Sequence, residues 1–444
     1  MTKNTIRGNG VGFLQFICPI ICLASFFEIR STSAASANQL SIMQGMTTES
    51  ATQLSVVTGS REPLNYELHA PGSSPLLISS KEERFESPDQ VLNSGLTARK
   101  VRFEGLELGI NYHLIVRDQA GKILDERDLR TIDLKQAHPR IAIGSCLADK
   151  FLKRANAIWH RFDRIRPDIF FLIGDNVYAS LLREVTPGKL WNRYFETRMR
   201  LPFYFQKNLT PSLAIWDDHD YGKNDGDRTY RYKEESRQVF EAFFAQDAVA
   251  DVLEKGPGVA QSLRAFGQTF IMLDDRTWRS PKNAYENQTM WGTEQEQWLM
   301  AQAARSTNPL WIINGSEYFG VPGTAIESYS EKIPVSFQNF FLPWIRSLSR
   351  PFFLVSGDVH YSELVTLPAS IAGIDTVEVT SSAMHSYRYI FKLPYKKNRL
   401  ASTKNDNFIV IQPLESSDNS LHIKTTSYGS GKVIYFEREF TITK

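Results

Sequence analysis

The stretch AIWDDHDYGKNDGD (Ala214–Asp227) sets Asp217, Asp218, His219, Asp220, Asn224, Asp225 and Asp227 directly behind an apolar run. Five carboxylates this close repel one another and favour protonation, so they must face water or share a cation. A calcium hand is excluded, because counting from Asp218 puts Gly222 at the third ligand position and Thr229 at the twelfth, where a glutamate is needed. Similar groups recur wherever an apolar run ends: Cys146 after RIAIGS, Asp175 and Tyr178 after PDIFFLIG, Asp274 to Arg276 after TFIML, Asn314 to Glu317 after LWII, and Asp358 with His360 after PFFLVSG. Each alone reads as a turn, a helix cap or a core histidine. A solvated loop does not explain the repetition, whereas a metal cluster of hard oxygen donors with one thiolate and one phenolate does. Asp217 counts among its candidate ligands with Asp218.

Such groups converge only if the elements bring them to one edge. From RIAIGSC onward, strands alternate with helices: LKRANAIWHRFDRIR places Leu152, Ala155, Ile158, Trp159, Phe162 and Ile165 on one helical face between two buried strands. Further strands are SLAIWDD, TFIMLDDR, LWIINGSEYF and PFFLVSGDVH, and KEESRQVFEAFFAQDAVADVL and TEQEQWLMAQAARS read as helices. In an α/β sheet, ligands bind in the crevice at the carboxyl ends of the strands, where all these groups fall. Before this region, residues 39–132 alternate apolar and polar residues in short runs, an antiparallel sandwich. Within it LELGINYHLIVRD resembles late strands of fibronectin-type or immunoglobulin-like modules, with Tyr112 as a tyrosine corner. Carbohydrate binding and simple packing are both open to such a module.

A chain of 444 residues, 42% hydrophobic, can bury a large core and suggests two domains. Its net charge of +2, from 51 basic and 49 acidic residues, argues against nucleic acid or an anionic membrane as the main partner. Lys3 and Arg7 precede the apolar run Val11 to Phe27, and Ala35-Ser36-Ala37 follows, the pattern of a secretory signal cleaved before Asn38. The expected division is therefore a signal peptide at 1–37, a β-sandwich at 38–135 and a catalytic domain at 136–444, with export to the medium or periplasm and no membrane span after cleavage. Cys18 and Cys22 go with the signal and leave Cys146 as the single thiol, with no internal disulfide to form.

The segments GSC (144–146), GDNVYAS (174–180), WDDHDYGKNDG (216–226), LDDRTWR (273–279), GTEQEQWL (292–299), SGDVHYSEL (356–364) and EVTSSAMHS (378–386) resemble the alkaline phosphatase D-like branch of the calcineurin-type metallophosphoesterases. The resemblance runs from about Arg140 to the end, and the preceding sandwich resembles that family's N-terminal domain. It implies an α-β-β-α sandwich core that carries iron(III) and one or two divalent ions, typically calcium. Cys146 and Tyr178 would bind the iron, Asp175 would bridge metals, and Asp218, Asn224, Asp358 and His360 would complete the ligand set. Two positions depart from the branch: Ser180 stands where an acidic residue is common, and Asp275 stands where Thr precedes the arginine.

The chemistry this implies is hydrolysis of small phosphate mono- or diesters by a metal-activated hydroxide, since close cations acidify bound water and offset charge in an in-line displacement. His219 would protonate the leaving oxygen from the rim, Asp220 would orient it, and Arg276 would clamp the phosphoryl group or serve a structural salt bridge. Two other readings stay open. One is a phospholipase-type diesterase with LWNRYFETRMRLPFYFQK lining its entrance, or covering the core as a packed helix. The other is a non-catalytic, metal-stabilised protein that binds a surface polymer.

Overall fold

The structure, a computed structural model, describes residues 39–71, 80–179, 184–282, 284, 286–321 and 327–444. The expected signal segment with Cys18 and Cys22, and the Ser180 position, lie outside the described residues.

Alternating patterns build seven strands first: β1 (Ser41–Thr47), β2 (Ala51–Thr58), β3 (Asn65–His69), β4 (Ser80–Glu86), β5 (Thr97–Glu104), β6 (Asn111–Arg117) and β7 (Ile123–Arg130). They pair antiparallel as two sheets, β1-β2-β5-β4 and β3-β6-β7. Leu54, Val56, Val101, Phe103, Leu114 and Val116 share a core there. The Tyr112 hydroxyl accepts the Glu107 backbone N–H at 2.8 Å, the tie that a tyrosine corner makes.

The chain then alternates between strand and helix: β8 (Ile141–Gly144), α1 (Leu152–Ile165), β9 (Ile169–Ile173), α2 (Pro187–Arg198), β10 (Ser212–Ile215), the single-turn α3 (Asp218–Tyr221) and α4 (Lys233–Phe243). Next come β11 (Leu253–Lys255), β12 (Gln261–Ala265), β13 (Gln268–Met272), α5 (Gly292–Arg305) and β14 (Leu310–Ile313). The last strands are β15 (Phe352–Ser356), β16 (Ser362–Leu367), β17 (Thr376–Thr380), β18 (Arg399–Thr403), β19 (Phe408–Ser416), β20 (Ser420–Tyr428) and β21 (Ile434–Thr443).

They form two large mixed sheets, β10-β9-β8-β19-β20-β21 and β11-β12-β13-β14-β15-β17-β16-β18. Strands β8, β9 and β10 are parallel in the first, and β13, β14, β15 and β17 in the second, so each sheet gathers several carboxyl ends along one edge. The sheets share one hydrophobic core, where the Phe171 and Phe270 rings meet at 5.1 Å. Helix α1 covers the first sheet as its periodicity requires: Ala155, Ile158, Trp159 and Phe162 are buried, Leu152 and Ile165 half-buried, and Trp159 and Phe162 pack edge-on against Phe170.

One expectation changes and one alternative is decided. The helix expected through Leu253 ends at Phe243, because the next residues join neighbouring strands: Met46 N–H donates to the Ala245 carbonyl at 2.8 Å, and the Gln246 amide bridges the N–H and C=O of Ala214. The segment weighed as a lipid entrance is a covering helix, with Leu190, Trp191 and Tyr194 of α2 buried. Among the described residues, no helix is long and apolar enough to cross a membrane.

Candidate metal centre

The strand ends turn in an uncommon way. Cys146 after β8, Asp175 after β9, and Asp358 and His360 after β15 all adopt left-handed backbone conformations, with φ of 61°, 53°, 68° and 60°. Each such non-glycine residue costs of the order of 1 to 3 kcal/mol and persists only where its surroundings hold it. Gly174 makes one of these turns possible: its φ is 106°, and a Cβ on it would lie 2.5 Å from the Asp217 Cβ.

These turns bring the side chains together. Ligand atoms of Cys146, Asp175 and His360 lie within 4.8 Å of one another, and so do those of Asp175, Asp218 and His219. Asp175 belongs to both groups, the position a bridging carboxylate needs. The Cys146 sulfur lies 3.6 Å from Asp175 Oδ2 and 3.3 Å from Ser382 Oγ. Tyr178 OH is 3.1 Å from His360 Nε2 and accepts a hydrogen bond from Ser386 Oγ at 2.6 Å. The His219 backbone N–H donates to Asp175 Oδ1, and its ring lies tilted at 36° to that of Tyr178, with centroids 4.3 Å apart. Asp358 approaches Cys146 through its carbonyl, 3.7 Å from the sulfur.

The electrostatics fit bound cations. Burial, then the neighbouring Cys146 and carboxylates, push Asp175 well above the usual carboxylate range, and burial with Glu327 and Asp218 does the same to Asp358. Burial also raises Asp218, but His219, Arg276 and the Asp225 N–H outweigh it and hold this carboxyl low. Asp218 Oδ1 is nonetheless buried without a hydrogen-bond partner. Burial pulls His360 down to about 4, which keeps its imidazole neutral, the form that ligates metal. Buried anionic oxygens that lack partners are costly unless a cation satisfies them.

Four expected participants, and the departing Asp275, stand elsewhere. Arg276 is fully enclosed: its guanidinium pairs with Asp217, with Glu327 at 3.0 Å and with Asp275 at 3.7 Å, and donates to Ser316 Oγ. So enclosed, it faces carboxylates and no open anion site, which favours the structural salt bridge over the substrate clamp. Asp217 is its partner and falls in neither ligand group, because its stem is held against Gly174. Asp220 caps the short helix α3, accepting the N–H groups of Asp217 at 3.1 Å and Val177 at 3.2 Å, and burial pushes it up to about 7. Asp275 is buried under Asn314, Ser316 and Arg276 rather than beside an incoming anion. Asn224 sits exposed in the turn between Gly222 and Asp225.

The ends of β13 and β14 thus form a buried layer beneath the centre. His219, expected at the rim, is 6% exposed and grouped with two carboxylates. Sequence reasoning missed Glu327, whose carboxylate lies within 4.8 Å of those of Asp218 and Asp225 and accepts from Arg276 and Arg279. No strand-end pattern marks Glu327. The supporting Ser382 and Ser386 were signalled by EVTSSAMHS.

No family model and no curated protein sequence matches the chain. Solved structures do, and two of them superpose over most of the chain. "Structure of PhoD" superposes with a TM-score of 0.69 at 16% identity, covering 93% of this chain and 91% of its own. A purple acid phosphatase, PPD1, from yellow lupin (Lupinus luteus) seeds gives 0.59 at 13% identity, covering 91% and 74%. The chain has the fold of PhoD and of this purple acid phosphatase, and its motif resemblance to the alkaline phosphatase D-like metallophosphoesterases is borne out as a matter of fold.

Proposed function

We propose that the protein is a metal-dependent phosphoesterase that hydrolyses small phosphate mono- or diesters. The observation that carries this reading is the convergence of Cys146, Asp175, Tyr178, Asp218, His219 and His360 at the carboxyl ends of strands from two facing sheets. Cys146, Tyr178 and His360 would hold iron(III), Asp175 would bridge, and Asp218 with Asp358 would hold the divalent ions, calcium by resemblance. When bound, the cations supply an acidified water and neutralise phosphoryl charge. The chain's own groups do the rest. His219 holds a proton for the leaving oxygen, Asp220 fixes the turn that carries His219, and the Arg276 layer keeps the acidic edge rigid beneath. The N-terminal signal pattern supports an exported protein, and the resemblance supports an α-β-β-α catalytic region at 136–444 and a fibronectin- or immunoglobulin-like module at 38–135.

The test is turnover of p-nitrophenyl phosphate and its bis ester by metal-loaded protein, beside elemental analysis. Asp175→Asn is expected to lose metal and activity together, because it removes the charge shared by both groups. Full metal and full activity in that variant would show the acidic edge to be merely a buried polar patch.

A further inference from the structure

We propose that Lys150 and Tyr387 form an anion-receiving subsite at the rim of the metal centre, where the ammonium and the phenol meet the phosphoryl oxygens of the incoming ester. This rests on the phosphoesterase reading above.

The arginines around the centre are already committed. Arg276 and Arg279 pair with Glu327, Arg193 and Arg200 with Asp149, and Arg154 and Arg388 with Asp406. Lys150 differs, because it is exposed and no carboxylate among the described residues pairs with it. Its Nζ lies 3.5 Å from the Tyr387 hydroxyl and 5.7 Å over the Tyr387 ring.

That ring joins the cation to the centre. It lies nearly parallel to His360, with centroids 6.5 Å apart, and edge-on to Tyr178 at 6.3 Å, while Phe151 packs edge-on against it at 5.1 Å. The backbone on both sides is held. Arg154 donates to the Ser386 carbonyl at 2.7 Å, Ser386 Oγ donates to Tyr178 OH, and His385 Nδ1 is 3.3 Å from the Ala148 carbonyl. Trp159 Nε1 donates to His385 Nε2 at 3.0 Å, so Nδ1 carries the proton and donates to Ala148. The positive group is thus displayed one aromatic ring from the ligands, on a fixed loop, with its charge uncancelled. A charge so placed acts more strongly on the doubly charged monoester than on the singly charged diester.

The test uses metal-loaded full-length protein with inorganic phosphate as the binding probe and the two p-nitrophenyl esters as substrates. Lys150→Met is expected to weaken phosphate binding and raise KM for the monoester by roughly threefold to tenfold, the effect of one exposed charge, with kcat and metal content little changed. The rise for the bis ester should be smaller, Lys150→Arg should restore binding, and Tyr387→Phe should weaken phosphate binding without loss of metal. If the parent protein binds phosphate and Lys150→Met binds it equally well, or both esters suffer equally, the subsite is overturned while the phosphoesterase reading stands. Failure of the parent to bind phosphate or turn over either ester would overturn both.

Discussion

The donor set decides the account at the scale of single residues. Cys146 is fully buried among polar neighbours, in a left-handed turn that a thiol has no intrinsic reason to adopt. An inert buried cysteine would behave as a small hydrophobe and accept serine with modest loss. A ligating one is deprotonated by its ion and should give the loaded protein visible absorption. We therefore expect Cys146→Ser to change or abolish the colour and to lower iron and activity together; an unchanged spectrum with normal activity contradicts the assignment. His219 makes a separable prediction. As the general acid, its replacement by Ala should leave metal near normal and cut turnover by roughly 10²- to 10⁴-fold, with less loss for good leaving groups. Metal loss in that variant, or equal loss for aryl and alkyl esters, would make it a ligand or a structural residue, since its neighbours permit ligation.

The legible elements were those with a clean period. The α1 face and the strand ends at Cys146, Asp175, Asp218 and His360 could be read because burial on one helical stripe, or on both strand faces, leaves a continuous apolar signal. The reading did not separate out the antiparallel additions β11, β16 and β18 to β21. β11 has three residues, β18 alternates half-buried and exposed positions over only five, and β21 mixes exposed and buried positions without a sharp alternation. The joint between the first sheet and the core was equally hidden, because part of it rests on one buried arginine. Arg198 of α2 donates to Ser41 Oγ at 2.9 Å, Ser55 Oγ at 2.9 Å and the Phe243 carbonyl at 2.8 Å, and stacks over Tyr204, with no carboxylate among the described residues paired to it. Burial alone brings its guanidinium down to about 10. Arg198→Met strands several buried acceptors and should cost about 2 to 4 kcal/mol, read as a clear fall in Tm with metal content intact. An unchanged Tm would show that apolar packing alone fixes the joint.

Over the whole molecule, acidic and basic residues nearly balance, at 49 against 51, yet the charges are not evenly spread. Two facing sheets aim Asp175, Asp218 and Asp358 at one edge, and the nearby arginines are spent on Asp217, Glu327, Asp149 and Asp406. Chain order could suggest that strand ends converge. It could not show that Arg276 reaches across to Asp217 from the opposite sheet, because that pairing exists only once the sheets stack. The acidic excess left at the edge makes cation binding the central claim, and chelation followed by restoration tests it most directly. Hydrolysis of p-nitrophenyl phosphate or its bis ester should vanish when iron and divalent ions are stripped, together with a fall in Tm as buried carboxylates lose their counter-charge, and both should return when the ions are restored. Hydrolysis that survives complete removal of metal, or a stripped protein of unchanged Tm that binds no ion on re-addition, would contradict the account.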